Sequence, residues 1–151
     1  MRVTAYSAAL LLWVAFGVNP TSATVWISGD PGGLIDDYTA KFAVLRQSNE
    51  QVAIDGQCSS ACTMVLGAIP NNRLCVTSRA SFGFHSAWHF TREGGRALSP
   101  NGNRVLWSHY PPRIREWITR HGGLGPQMLY LRGTDLTAII PACNRSQARS
   151  D

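Results

Sequence analysis

The chain has almost no lysine. Lys41 is the single lysine among 14 basic residues, arginine supplies the rest, and the formal net charge is +5. Such a balance can favour anionic surfaces or nucleic acid, but no recognisable nucleic-acid-binding motif accompanies it. We therefore predict a solvated basic face and no nucleic-acid partner. Six of the arginines cluster in the second half of the chain: Arg92, Arg96, Arg104, Arg113, Arg115 and Arg120.

Long apolar runs are also missing, apart from one near the start. Ala8 to Val18 is almost unbroken in apolar residues, Arg2 precedes it, and the small residues Thr21-Ser22-Ala23 follow it. This order is typical of a secretory signal peptide, and the run is shorter than the roughly 20 residues that span a bilayer. We predict a signal peptide over 1–23 and a periplasmic or secreted mature chain without a stable membrane anchor. An uncleaved anchor is the alternative.

The length of 151 residues favours one domain. We place that domain at 24–143 and a polar tail at 144–151. Its four cysteines are Cys58, Cys62, Cys75 and Cys143, and an even count in an exported protein predicts two disulfides.

Three cysteine pairings are possible, and the sequence does not choose among them. Cys58 and Cys62 would be one helical turn apart if both were helical, so we expect each to bond elsewhere. Zinc is the rival interpretation, but the spacing lacks a second close pair. We predict neither a metal site nor a cofactor.

Strand and helix patterns alternate through the first half of the domain. Short apolar strands are expected at 24–28, 51–55, 74–77 and 81–84, with helices at 34–47 and 60–68. This order predicts an α/β fold with parallel pairing and right-handed crossovers. Residues 91–102 have the composition of an exposed loop, and a helix begins at Pro111-Pro112 and ends before Gly122-Gly123. The segments 128–131 and 136–140 are apolar but cannot be assigned a type.

Three short segments carry the chemistry. Ser60 lies where a strand turns into a helix, a position that exposes a hydroxyl beside unpaired amides. His85 ends a later strand, and Gly32-Gly33 follows the first one. Because parallel strands bring their carboxyl ends together, Ser60 could act as nucleophile and His85 as base. An amide in the glycine turn and that of Ala61 could bind an oxyanion.

At these residues the chain resembles a family. The segments Pro31-Gly32-Gly33, Gly56-Gln57-x-x-Ser60-Ala61 and Phe84-His85 look like the three signature blocks of the Clp-type serine protease proteolytic subunit, in the same order and at similar spacing. The likeness covers roughly Val25 to Ala87. The chain resembles in particular the small exported bacterial relatives of that subunit.

The resemblance implies a fold, a site and a reaction. The fold is the crotonase-like arrangement of stacked strand-strand-helix units with a mostly parallel sheet. The site is a catalytic Ser60, His85 and Asp135, with backbone amides of Gly33 and Ala61 as oxyanion donors. Asp135 falls where the family's orienting aspartate is expected, although the surrounding sequence departs from the family; Asp30, Asp36, Asp37 and Asp55 are other candidates.

The resemblance implies a serine-type peptidase or hydrolase acting on flexible peptides or unfolded protein. The barrel-forming members receive substrate from an ATP-driven unfoldase, whereas an exported chain has no ATP outside the cell. The segment 89–112 does not match the helix that builds the family's ring. Oligomers are possible, but a large chamber is not assumed.

Each candidate also has a plainer interpretation. Ser60 could be a helix N-cap, His85 a packed histidine, and Gly32-Gly33 only a turn. His85 and His89 have the spacing of two metal ligands on a helix, but we expect this segment to follow a strand, where that spacing does not place both side chains on one metal. A serine–lysine dyad would need Lys41, which the helix phase places on the outer face.

The alternative function is a non-catalytic periplasmic binding or assembly domain on the same scaffold. A Ser60 hydroxyl within about 3.5 Å of a His85 ring nitrogen would favour the enzyme.

Overall fold

The computed structural model describes residues 23–144, so the predicted signal peptide and nearly all of the predicted tail lie outside the described residues. Eight strands and five α-helices are described there, together with two short 3-10 turns (Ser60–Met64 and Asn71–Arg73). The strands are β1 Thr24–Ile27, β2 Gln51–Ile54, β3 Gln57–Ser59, β4 Leu74–Val76, β5 Ser81–Phe84, β6 Trp88–Phe90, β7 Arg96–Leu98 and β8 Leu129–Arg132. The helices are α1 Ile35–Gln47, α2 Val65–Ala68, α3 Pro100–His109, α4 Pro112–Arg120 and α5 Gly133–Thr137.

Two three-stranded sheets form the centre of the fold. In the first, β1, β2 and β4 pair in that order and all in parallel. In the second, β3 pairs in parallel with β5, and β8 joins the edge in the antiparallel sense. The expected α/β fold with a mostly parallel sheet is confirmed.

Successive chain segments cross from the first sheet to the second in the same order. β2 leads into β3 and β4 into β5, while the segment after β1 makes a parallel bridge from Asp30 to Cys58. A turn and helix follow β3, so β2, β3 and α2 make one strand-strand-helix unit. This repeated path brings the ends of β1, β3 and β5 to one side of the molecule.

The core lies between the sheets and the helices. Phe42 and Leu45 of α1 pack inward, as the helical spacing predicts, against buried strand residues such as Val52 and Ile54. On the other side, the buried Tyr110 at the end of α3 places its hydroxyl 2.8 Å from Thr63 Oγ1. Burial raises the pKa of Tyr110 to about 12, against the opposing effect of the Thr63 hydrogen bond. The segment after Ser60 is therefore tied to the helical layer by a buried polar contact.

Two secondary-structure expectations need correction. The helix expected at 60–68 is a 3-10 turn followed by the one-turn helix α2. The loop expected at 91–102 contains β7, which pairs with β6 in a hairpin, and the first turn of α3. Ser99 caps α3, since its Oγ accepts from the Gly102 amide at 3.1 Å, and Pro100 occupies the first helical position. These residues start a helix.

The disulfide pairing also differs from expectation. Cys58 bonds to Cys62, so the prediction that each bonds elsewhere was wrong. Cys58 belongs to a strand rather than a helix, and the chain turns sharply at Ser60, which brings the two Cα atoms to 5.4 Å.

The second disulfide joins Cys75 in β4 to Cys143, beside the parallel bridge between Val76 and Ala142. Two disulfides fit an oxidising compartment. Across 23–144, none of the helices combines the length and apolarity that crossing a bilayer requires.

Candidate active site

Ser60 occupies a strained backbone position at the end of β3. Its φ is 56°, a conformation that non-glycine residues adopt rarely and that often marks a functional turn. The Cys58–Cys62 disulfide closes the five-residue segment around it, which we call the elbow (58–62). The elbow holds Ser60 half-buried between a buried strand and a buried turn.

The N-cap position of the turn belongs to the neighbouring serine, Ser59. Ser59 is the cap residue of the 3-10 turn, and its Oγ accepts a hydrogen bond from Gln57 Nε2 at 2.8 Å instead of capping an amide. Ser60 follows as the first residue of the turn. Within 23–144 its hydroxyl has no hydrogen-bond partner, so it is not used for helix capping.

The loop after β1 is held against the elbow by Asp30. The Asp30 amide donates to Gln57 O at 2.8 Å, and the Ser59 amide donates to Asp30 O at 2.9 Å. The Asp30 carboxylate accepts from the Gly32 amide at 2.9 Å, from the Tyr38 hydroxyl and from Lys41 Nζ at 3.0 Å. Asp30 is thus a structural residue of this loop, and Lys41 is engaged in an ion pair with it.

These contacts shift the titration of both partners. Burial acts to raise the pKa of Asp30, but the hydrogen bonds from Tyr38 and Gly32, together with Lys41, outweigh it and hold that pKa below the ordinary 3.8. Burial and the hydrogen bond to Asp30 raise the pKa of Tyr38 above its usual value. The carboxylate is therefore charged, and the phenol neutral, at physiological pH.

Gly32 touches the elbow directly. Its φ is +84°, and a Cβ at this position would lie 2.5 Å from Ser59 O and 2.6 Å from Ser60 Cβ. Glycine alone allows this approach. The Gly33 amide follows at the rim of the same cleft as Ser60 and has no acceptor among the described residues. Ala61, which is buried, is second in the 3-10 turn, where amides have no intrahelical acceptor.

His85 follows β5 and reaches the same cleft. β3 and β5 pair in parallel with Ser59 opposite Gly83, so their carboxyl ends lie side by side. The open cleft has a volume of about 570 Å³, and its lining includes Gly33, Ser60 and His85. The structure thus brings together three of the predicted site segments.

The imidazole of His85 is oriented by backbone. Its Nδ1 lies 2.8 Å from the carbonyl oxygen of Ser86. A carbonyl can only accept, so neutral His85 carries its proton on Nδ1 and leaves Nε2 with a lone pair. That is the tautomer a general base requires. Within 23–144, no hydrogen bond joins Ser60 Oγ to either ring nitrogen of His85.

Asp135 lies elsewhere. β8 runs antiparallel to β5, with Leu129 opposite Phe84 and Arg132 opposite Ser81. Asp135 follows β8 and is therefore at the far end of β5 from His85, a strand length of about 10 Å. Its Oδ2 accepts from Trp117 Nε1 at 3.5 Å, and it lines a separate cavity. The structure does not bring this carboxylate to the imidazole.

The other carboxylates considered as partners of His85 also lie in other parts of the structure. Asp55 is buried and accepts from Thr77 Oγ1 and Arg79 Nη2, both at 2.6 Å, at the bend between β2 and β3. Asp36 and Asp37 lie in the first turn of α1. The partner that the structure supplies to His85 is the Ser86 carbonyl, which sequence motifs cannot reveal because every residue carries one.

The β6–β7 hairpin forms a wall of the cleft that the sequence interpretation missed. Trp88 and Phe90 project from β6 and line the cleft with Leu34 and Leu106. Phe90 and Leu34 are strongly exposed, at 67% and 72%. A hairpin signal was present, because Trp88-His89-Phe90 and Arg96-Ala97-Leu98 flank a turn containing Gly94-Gly95.

Comparisons with known proteins leave the function of this chain open. No family model matches the chain, and no curated protein matches it. Among solved structures, the chain is similar to a mutant of ClpP1 from Listeria monocytogenes, with a TM-score of 0.49 and 13% sequence identity. The similarity covers 82% of this chain and 75% of that one. The function is therefore argued below from the geometry of the site.

Proposed function

We propose that this protein is an exported serine hydrolase that cleaves peptide or ester bonds with Ser60 as nucleophile and His85 as general base. The observation that carries the proposal is the left-handed backbone of Ser60, held by the elbow beside Gly32 in a cleft that also contains His85. A purely structural turn does not require a serine in this strained conformation, with no hydrogen-bond partner for its hydroxyl within 23–144, in the same cleft as the His85 imidazole.

In the proposed reaction, His85 Nε2 takes the proton of Ser60 Oγ as the oxygen bonds to the substrate carbonyl carbon. The resulting oxyanion accepts hydrogen bonds from the amides of Gly33 and Ala61. The imidazolium then gives its proton to the leaving nitrogen or oxygen as the carbon–leaving-group bond breaks. Water repeats the sequence on the acyl-enzyme and releases the acid.

The Ser86 carbonyl replaces a carboxylate in orienting the base. It fixes the Nδ1–H tautomer at 2.8 Å and places a partial negative charge beside the imidazolium formed during attack. A neutral carbonyl stabilises that cation less than an aspartate would. We therefore assign the reaction to a Ser60–His85 dyad, with Asp135 outside it.

The Ser60–His85 hydrogen bond is expected to form on substrate binding. Catalytic hydrogen bonds are often loose without substrate and tighten in the bound complex. Trp88 and Phe90 of the hairpin line the same cleft as Ser60 and His85, so a bound substrate would contact all four. A bound chain would exclude water from the dyad.

The cleft favours flexible substrates. Its mouth is open to solvent, since Leu34 and Phe90 of its lining are strongly exposed, and its lining is mainly apolar. We propose a flexible peptide or unfolded protein as substrate, with no metal or cofactor required. An oligomer remains compatible with this proposal, since the exposed hairpin and Leu34 could be covered in one.

A fluorophosphonate probe tests the proposal. Purified mature protein should be labelled, and Ser60→Ala should lose labelling and turnover by on the order of a thousandfold or more. Ser59→Ala is the matched control, since Ser59 is adjacent but bonded to Gln57, and should retain labelling. His85→Ala should lose it.

Equal labelling of wild type and Ser60→Ala would contradict the proposal. Absence of labelling in the folded wild type, with partner binding unchanged by Ser60→Ala, would favour a binding or assembly domain instead.

A further inference from the structure

We propose that Arg96 binds a carboxylate on the leaving-group side of the substrate, so that the enzyme prefers bonds followed closely by a C-terminal carboxylate or an acidic side chain. The inference rests on the proposed function. It adds a substrate class that the Ser60 cleft alone does not specify.

His85 also lines a second cavity, whose lining does not include Ser60. Its volume is about 460 Å³, and we call it the leaving-group cavity. His85 and Trp88 line both this cavity and the Ser60 cleft, whereas Gly33 and Ser60 line only the cleft. His85 therefore stands at the junction between the two spaces. The lining consists of His85, Ser86, Trp88, Arg96, Ala97, Leu98, Pro126 and Met128.

The chemistry determines which substrate fragment enters this cavity. The carbonyl carbon must sit over Ser60, with its oxygen towards Gly33 and Ala61. His85 must then protonate the departing atom, so the leaving group lies on the His85 side. A chain that continues in that direction passes His85 into the leaving-group cavity.

Among the described residues that line this cavity, Arg96 is the one that carries a full charge. Its guanidinium carbon lies over the Trp88 ring, 4.1 Å from the ring centroid, in a cation–π contact across the β6–β7 hairpin. This contact restrains the side chain, and the guanidinium carries five N–H donors. Within 23–144, Arg96 forms no ion pair or hydrogen bond, and none of the cavity-lining residues is acidic. A carboxylate matches this planar set of donors.

The carboxylate could come from two sources. A C-terminal carboxylate would make the enzyme trim short fragments from chain ends, whereas an aspartate or glutamate would direct internal cleavage. Both offer the same planar group to Arg96, and peptide chemistry distinguishes them.

Three internally quenched peptides of one sequence provide the test. The first ends in a free carboxylate two residues after the cleaved bond, and the second is the same peptide with a C-terminal amide. The third is also an amide, but it carries glutamate at the second residue after the cleaved bond. We expect wild type to cleave the first or third peptide with kcat/KM about fivefold above the second, a modest gain because Arg96 is exposed. The first alone indicates chain-end trimming, and the third indicates recognition of acidic side chains.

Arg96→Gln should remove this preference, and Arg96→Lys should restore part of it. Arg92→Gln is the matched control, because Arg92 lies in the same hairpin and has the same charge but does not line the cavity. An unchanged preference in Arg96→Gln, or equal loss in Arg92→Gln, would overturn the inference.

Binding to Ser60→Ala separates this inference from the proposed hydrolysis. Anisotropy of the same peptides, labelled at the N-terminus, should show the carboxylate preference and its loss on adding Arg96→Gln. If that pattern appears while fluorophosphonate labelling fails, hydrolysis is wrong but the carboxylate site stands. If labelling succeeds and the three peptides bind and react equally, the carboxylate site is wrong.

Discussion

Position 32 requires glycine for two separate reasons, its backbone conformation and its contacts. A positive φ costs an ordinary residue about 1–2 kcal/mol, and a Cβ at Gly32 would also collide with Ser59 O and Ser60 Cβ. We expect Gly32→Ala to lower the free energy of unfolding by about 3 kcal/mol and to abolish fluorophosphonate labelling. Urea denaturation measures the first effect and probe kinetics the second.

Gly122→Ala is the control for this substitution. Gly122 also has a positive φ, +99°, but a Cβ there would meet nothing within 4 Å. It should cost only about 1 kcal/mol and leave labelling unchanged. Equal effects at the two positions would show that Gly32 matters through its φ alone and not through contact with the elbow.

Asp30 makes stability depend on pH at the acidic end. Its folded pKa is below 3.8, so the folded state favours the charged carboxylate more than the unfolded state does. The stabilisation is fully present above the unfolded value and is lost as pH falls through the folded one. The advantage of wild type over Asp30→Asn should therefore be largest at pH 5 to 7 and shrink below about pH 3.8. Thermal unfolding across pH measures it.

Asp36→Asn is the reference for this titration, because Asp36 is exposed in the first turn of α1. At pH 5 to 7 its difference from wild type should be smaller than that of Asp30→Asn. A constant difference between wild type and Asp30→Asn from pH 6 to pH 2.5 would contradict the assignment.

The candidate residues were predictable to different degrees. Ser60, His85 and Gly33 were found because each occupies a recognisable turn or strand end, and parallel pairing converts that order into proximity. The resemblance implies Asp135 by its sequence distance from His85, and that distance carries no information about which end of an antiparallel strand a residue reaches. The Ser86 carbonyl had no side-chain signature at all.

At the scale of elements, the hairpin and α3 were the main omissions. Residues 91–102 are rich in glycine, serine, proline and asparagine, which resembles a loop when only composition is considered. The same residues are a hairpin turn and a Ser-Pro helix start. Their local signals are short, and the hairpin lies against the cleft through Trp88, a contact distant in sequence from Ser60.

The antiparallel edge strand β8 leads to a prediction for Asp135. Because β8 carries α5 to the Ser81 end of β5, Asp135→Asn should keep kcat/KM within about threefold of wild type, whereas loss of a true third triad member costs about 10⁴. Steady-state kinetics on a peptide substrate measures this. A loss of several orders of magnitude in a folded Asp135→Asn protein would restore the carboxylate to the mechanism.

At the scale of the whole molecule, we expect one disulfide to matter more for stability and the other to matter more for activity. The Cys75–Cys143 bond spans 68 positions and the Cys58–Cys62 bond spans four. In the chain-entropy model, removing the first by double alanine substitution costs about 4 kcal/mol and removing the second about 2 kcal/mol. Only the second encloses Ser60. We therefore expect removal of the Cys58–Cys62 bond to reduce probe labelling more than removal of the Cys75–Cys143 bond, although it lowers the free energy of unfolding less.

Denaturant unfolding and labelling rate at a temperature where both variants are folded provide the comparison. The Cys75→Ala/Cys143→Ala variant should retain most of its labelling under those conditions. If both pairs affect labelling equally, the elbow disulfide has no special role in presenting Ser60.

The backbone conformation at Ser60 lowers the stability of the fold but places the hydroxyl for the proposed reaction. Glycine would relieve the left-handed strain that serine or alanine must bear, so Ser60→Gly should be about 1 kcal/mol more stable than Ser60→Ala, while both are inert. A chain selected only for robustness would gain by giving up this hydroxyl. The difference in free energy of unfolding between Ser60→Gly and Ser60→Ala therefore measures how much stability the fold loses by holding a reactive oxygen at this position.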